Sequence, residues 1–179
     1  PHARPQTVEA RPEALPLGAR PPDTRSPAFQ AYVELVRDQL PAGVPLRAAL
    51  ANTSAYDLYV FEHGYKPAAP QFADLFYSLF LHGGFLHLFG NMLFLWIYGD
   101  NVEYRLGRLP YLLWYLATGV AATLFFALFA FDSAVPLVGA SGAISGVLGF
   151  YFLWFPRNTV RLFVFLFPFF MNVVAVRAR

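Results

Sequence analysis

Three uncharged runs limit what this chain can become. Leu75–Gly99, Pro110–Phe131 and Ser133–Pro156 carry no Asp, Glu, Lys or Arg. Each is long enough for a bilayer, which asks for about 20 apolar residues per helix. Only 13% of the 179 residues are charged, against about 25% in a usual soluble domain. The acids are uneven: after Glu103 the only one is Asp132. The expected fold class is therefore an all-α membrane protein, a polytopic helical bundle with about three full transmembrane helices and an N-terminal extramembrane region.

The polar part comes first. Residues 1–25 are rich in Pro, Arg and Ala and read as disordered or as a linker. Residues 26–70 read as extramembrane amphipathic helices. One starts at Ser26-Pro27 with Ser as N-cap and ends before Pro41; a second runs from about Leu46 to Phe61. Residues 71–179 hold the expected spans at about 75–99, 110–131 and 140–156. The stretch 160–179 is apolar but interrupted by Pro168, and reads as interfacial or as the start of another helix.

Arginines give an orientation. Arg105 and Arg108 follow the first run and Arg157 and Arg161 the third, while the connection between the second and third has none. Cytoplasmic loops hold the Lys/Arg excess, which places Ser141 near the outer face. A bacterial cytoplasmic membrane is the expected location. The first 70 residues then lie outside, so a further transmembrane helix is expected before Pro1.

Two sets of residues carry possible chemistry. The first run contains His82, His87 and Asn91. Polar groups at membrane depth are costly and usually face a bundle interior or a water cavity. His87 and Asn91 are four apart and share a helix face. The second set is Gly139-Ala140-Ser141-Gly142 at the mouth of the third helix, where Ser141 is either a packing residue or a nucleophile. His and Asn can both donate hydrogen bonds, and the N–H of a serine opening a helix lacks an intrahelical acceptor. Aimed at one place, the three would stabilise an oxyanion.

Several classes are excluded. Cys is absent, so there is no thiol nucleophile, disulfide or thiolate metal site. His82 and His87 are five apart with no carboxylate between them, which does not suit a zinc-protease helix. No basic patch suggests nucleic acid. The second run offers only Thr118 and Thr123 as polar partners after Tyr111, too few for a transport path. No cofactor is expected.

The stretch His82-Gly-Gly-Phe-Leu-His87-Leu-Phe-Gly-Asn91-Met-Leu-Phe-Leu-Trp resembles the second transmembrane helix of the rhomboid family of intramembrane serine proteases. Gly99-Asp-Asn-Val-Glu103-Tyr-Arg105-Leu-Gly107 is similar to that family's next loop, and Gly139-Ala-Ser141-Gly142 to its G-x-S-G nucleophile motif. Phe61–Pro67 is similar to the segment before that helix in many bacterial members. The likeness covers about Phe61–Pro156 and implies the second to fourth of six core helices, so the bundle would be a truncated one of rhomboid type.

The resemblance implies roles. Ser141 is the nucleophile, and His87 and Asn91, with the Ser141 N–H, form the oxyanion hole. His82 lies near the active-site cavity. Glu103 and Arg105 form a structural charged loop, and Gly139, Gly142, Gly146 and Gly149 give close helix packing. Membrane-anchored proteins are the implied substrates and the lipid bilayer the surroundings. Two departures stand out. Ser145 occupies a place where the family often has Tyr. None of the four histidines, His2, His63, His82 and His87, follows Ser141, where the family carries its general base. The base is expected outside this chain, and the chain by itself is expected to be inactive. The alternative is a catalytically inactive rhomboid-like protein with a binding or quality-control role.

Overall fold

The computed structural model describes residues 19–157 in full and the backbone of 159–166 and 170–177. The linker assigned to residues 1–25 lies mostly outside the described residues. The first helix, α1 (Pro27–Gln39), begins as its sequence predicts: Ser26 Oγ accepts the Phe29 N–H at 3.1 Å, and Pro27 sits at the first helical position. The helix expected over 46–61 is split into α2 (Leu46–Leu50) and α3 (Ala55–His63). Ser54 causes the break. It forms a capping box with Asp57, satisfying the free N–H groups of a new helix start rather than continuing the old one. Phe29, Val33, Leu50 and Leu58 then pack into one small buried cluster.

The run 75–99 is not a single helix. A short α4 (Asp74–Tyr77) is followed by a turn, and α5 begins only at Phe85 and continues to Leu106. Gly83-Gly84 breaks the pattern, because two adjacent glycines hold a helix poorly. At its other end α5 runs past Gly99 through the charged residues. Absence of charge therefore locates neither end. Gly107, at φ 85°, turns the chain directly into α6 (Arg108–Ala127). The last helix, α7 (Ser141–Trp154), starts at the residue expected.

Helix α7 packs against both α5 and α6. Tyr98 and Val102 of α5 meet Val147 and Tyr151 of α7 in the second core, where the Tyr98 and Tyr151 rings stand edge to face at 4.9 Å. The outer faces are apolar: Phe85, Leu86, Trp96, Phe125 and Phe129 are all exposed. Among the described residues α6 alone is both long and apolar enough to cross a membrane, with a mean hydropathy of 1.5 over its best window. Helix α5 is long enough but carries Asp100, Glu103 and Arg105 in its last two turns. Helix α7 is apolar but has 14 residues, about 21 Å at ~1.5 Å per residue.

The stretch 160–179 also differs from expectation. Where described it is extended rather than helical. Strands β1 (Thr159–Leu166) and β2 (Phe170–Arg177) pair antiparallel, from Thr159 opposite Arg177 to Leu166 opposite Phe170. The sequence explains the preference: both arms are rich in Val and Phe, which favour extended backbone, and Pro168 disfavours a continuous helix. The other regular elements among the described residues are helices, joined by loops and one isolated bridge between Tyr65 and Leu137.

Candidate active site

The site gathers around the loop that precedes α7. Tyr65 and Leu137 exchange both backbone hydrogen bonds, at 3.1 and 2.8 Å, and the Gly139 N–H donates to the Ser78 carbonyl at 2.8 Å. These ties bring the loop against the start of α5. Gly139 has φ 120°, a conformation side chains rarely adopt. It is also crowded: a Cβ there would lie 2.7 Å from His87 Cε1, 2.8 Å from His87 Nε2 and 3.7 Å from Asn91 Nδ2. Gly139 was expected to serve helix packing. It lies outside any helix and instead lets the His87 ring and the Asn91 amide approach the backbone two residues before Ser141.

Partners fix the protons of both histidines. His87 Nδ1 accepts from the Gly83 N–H at 3.4 Å, which leaves Nε2, the atom facing Gly139, as the N–H of the neutral ring. His82 Nδ1 faces the Phe80 carbonyl at 3.2 Å and must be its donor. The His82 ring is buried, edge-on to His87 at 5.3 Å, and its Nε2 has no partner. Asn91 is buried as well, and its Nδ2 donor has no acceptor in the structure. Donors this deeply buried are normally satisfied, so an empty one beside a crowded glycine is notable.

Ser141 occupies the first position of α7, where backbone N–H groups have no intrahelical acceptor. The residue is exposed. It lines an open cavity of about 180 Å³ together with Ser78, Thr123, Phe126, Gly139 and Gly142 among others. Ser145, one turn on, returns its hydroxyl to the Ser141 carbonyl at 2.8 Å and so points away from a substrate role.

The glycines of α7 differ. A Cβ on Gly142 would come within 2.7 Å of Ala122 Cβ, and one on Gly146 within 2.5 Å of Thr118 Cβ. Both therefore set how closely α7 approaches α6. Gly149, expected to do the same, meets nothing within 4 Å among the described residues. It shares the side of α7 that carries Gly142 and Gly146, but is exposed there.

Glu103 and Arg105 are helical rather than in a loop, since α5 extends to Leu106. The Arg105 guanidinium lies 5.4 Å from the Trp154 ring and 6.0 Å from the Phe155 ring, tying the end of α5 to the end of α7. The Glu103 carboxylate is 3.7 Å from Arg108 at an exposed position, a pair of little energetic weight. No group of three or more potential metal-binding side chains occurs among the described residues.

Sequence reasoning missed three residues near the site. Ser78 supplies the carbonyl that holds Gly139. Tyr56 donates its hydroxyl proton to the His82 carbonyl at 2.8 Å. Lys66 lies at 4.0 Å from Asp74, both nearly buried. Burial pushes the Lys66 ammonium below its ordinary pKa, and the Asp74 charge pulls it part of the way back. The Ser78 and Tyr56 contacts join segments far apart in the chain, and the Lys66–Asp74 pair closes the connection between α3 and α4, where no helical or strand spacing signals it.

The model of the rhomboid domain matches residues 69–178, more than half of the chain. The chain belongs to the rhomboid family. It is similar to the yeast "Rhomboid protein 1, mitochondrial" (Saccharomyces cerevisiae), 37% identical over 95 residues, which is 51% of this chain and 28% of that protein. The "Rhomboid protease GluP" of Bacillus subtilis is 48% identical over 69 residues, 38% of this chain and 13% of that protein. The "Rhomboid-like protein 11, chloroplastic" of Arabidopsis thaliana is 41% identical over 90 residues, 50% of this chain and 30% of that protein. The matched part of this chain thus spans less than a third of the length of each of these rhomboid relatives. No solved structure matches.

Proposed function

We propose that this chain carries the nucleophile and oxyanion donors of an intramembrane serine endopeptidase that cleaves membrane-anchored proteins. One observation carries the reading: the buried, unpartnered Asn91 Nδ2 and the His87 Nε2 converge on Gly139, two residues before Ser141. In this mechanism Ser141 Oγ attacks the substrate carbonyl carbon. The developing oxyanion receives hydrogen bonds from Asn91, His87 and the Ser141 N–H. Donors set in advance need no reorganisation as charge develops, and one such donor is worth about 10²–10³ in rate.

The proton of Ser141 needs a base within about 2.6–3.2 Å. None of the placed histidines hydrogen-bonds Ser141. His87 is held by Gly83, His82 faces the Phe80 carbonyl, and His63 packs between Tyr59 and Tyr77. In this mechanism a general base other than these three histidines takes the proton. Helices α5, α6 and α7 cross the membrane, with α1–α3 outside it and Ser141 near the outer face. Matching relatives carry mitochondrial, chloroplastic and bacterial names, and the arginine pattern fits a bacterial cytoplasmic membrane.

A serine-directed fluorophosphonate tests the reading on the full-length protein in liposomes. Labelling is expected for the wild type and absent for Ser141→Ala. Equal labelling of both rejects Ser141 as the nucleophile. The unfilled base position favours one second reading, an inactive rhomboid-like binding protein, in which neither form is labelled.

A further inference from the structure

The loop before Ser141 is held by two struts, and both lead back to one side chain. Lys66 spends all three of its N–H donors on carbonyls that close α3: Phe61 at 2.7 Å, Glu62 at 3.0 Å and Gly64 at 3.0 Å. These oxygens lie at a helix end and lack the usual intrahelical partners. The segment so fixed clasps the loop. Tyr65 pairs with Leu137 in both directions, and Gly64 is so close to Pro136 and Val138 that a Cβ would lie 2.6 and 2.9 Å from their side chains. That is the first strut.

The second runs through Asp74. Its carboxylate lies 4.0 Å from Lys66 Nζ, it is 3% exposed, and its Oδ2 has no hydrogen bond. Asp74 opens α4. Its carbonyl accepts the Ser78 N–H at 2.9 Å, and the Ser78 carbonyl accepts the Gly139 N–H at 2.8 Å. A buried carboxylate stripped of the cation beside it is left uncompensated, and its segment must shift. That shift reaches Ser78, and through it Gly139, which lies beside the His87 ring.

We propose that Lys66 is a positioning residue for the nucleophile loop, holding Pro136–Gly139 through α3 and through the Asp74–Ser78 path. It touches neither substrate nor the reacting atoms. The inference rests on Ser141 being the nucleophile. It adds a control point in the extramembrane segment, far from the residues that carry the chemistry.

The test uses the full-length protein in liposomes and compares Lys66→Met, Lys66→Arg, Asp74→Asn and the Lys66→Met/Asp74→Asn double variant. The readouts are the rate of Ser141 labelling by a fluorophosphonate, kcat and KM for a membrane-anchored reporter, and thermal unfolding. Lys66→Met is expected to lower labelling rate and kcat by about 10-fold or more, since small misplacements near a reacting group are costly. KM is expected to stay within about two-fold, because the substrate-contacting groups are unchanged. Lys66→Arg keeps the charge and restores most of the rate. Asp74→Asn loses rate as Lys66→Met does, and the double variant is no worse than Lys66→Met, as expected for two groups on one path. Should Lys66→Met fail to fold, Asp74→Asn, nearly unchanged in shape, gives the answer alone. Wild-type rates in folded variants, fully additive losses, or a rise in KM alone would overturn the proposal. Ser141→Ala separates the two failures. If it is labelled like the wild type, or neither is labelled, the nucleophile reading falls and this inference with it. If only Ser141→Ala is silent and Lys66→Met labels normally, the positioning role alone is rejected.

Discussion

Gly139 is seated against the edge of His87 so closely that a methyl group at its Cα would stand 2.7 Å from Cε1. Its φ of 120° adds a second constraint, because a side chain there is strained whatever the space around it. Gly139→Ala is therefore expected to push the loop and the His87 ring apart. A displacement of about 1 Å near a reacting group costs on the order of 10²-fold in rate. Fluorophosphonate labelling of full-length Gly139→Ala should fall by about that factor while the helices still form by circular dichroism. Wild-type labelling would show that the close seat has no catalytic consequence.

Asn91 gives a sharper test of the same site. Its Nδ2 is buried and donates to no protein acceptor, which leaves it free to donate to a bound group. If that group is the oxyanion, Asn91→Ala removes an interaction made only in the transition state. Then kcat falls by about 10²–10³ with KM nearly unchanged. A rise in KM at constant kcat would instead place Asn91 in ground-state binding.

Local features of this site were legible in the sequence, and non-local ones were not. The four-residue spacing of His87 and Asn91 fixes a shared face in any helix, and the helix start at Ser141 follows Gly139-Ala140 directly. The break between α2 and α3 was also written locally, in the helix-start pattern of Ser54 and Asp57 inside the stretch read as one helix. Charge patterning misled in two places. It drew one span over 75–99 because nothing charged marks the turn at Gly83-Gly84, and it stopped that span at Asp100 although α5 continues to Leu106. The hairpin from Thr159 to Arg177 depends on one apolar arm finding another, and an apolar run alone suits a buried strand or a helix equally. The clasp of Tyr65 on Leu137 depends on how distant segments meet, which no window of sequence contains, and the Lys66–Asp74 pair depends on how the turn between α3 and α4 folds.

The glycines of α7 were expected to act alike, and the structure separates them. A Cβ on Gly146 collides with Thr118, so Gly146→Ala forces α7 away from α6 and should destabilise by about 1–3 kcal/mol, the usual range for overpacking. Gly149 meets nothing, so Gly149→Ala should be neutral or stabilising by up to ~1 kcal/mol through helix propensity alone. Thermal unfolding of the two variants in the same detergent compares them directly. Equal destabilisation would mean that Gly149 is covered by a further element.

The orientation of the helices is open to a clean measurement because the chain contains no Cys. A single introduced cysteine is then the only thiol in this part of the protein. Asp132→Cys lies between α6 and α7, in the connection without arginines, and Arg157→Cys lies just after α7, in the arginine-bearing end. The positive-inside rule puts Arg157 in the cytoplasm. On that expectation α7 starts outside, with Ser141 at the outer face. A membrane-impermeant maleimide added to intact cells should label Asp132→Cys and spare Arg157→Cys until the membrane is opened. The reverse pattern would invert every helix of the bundle. It would also place Lys66 and the α3 clasp in the cytoplasm, since Tyr65 is bonded to Leu137 on the same side as Ser141.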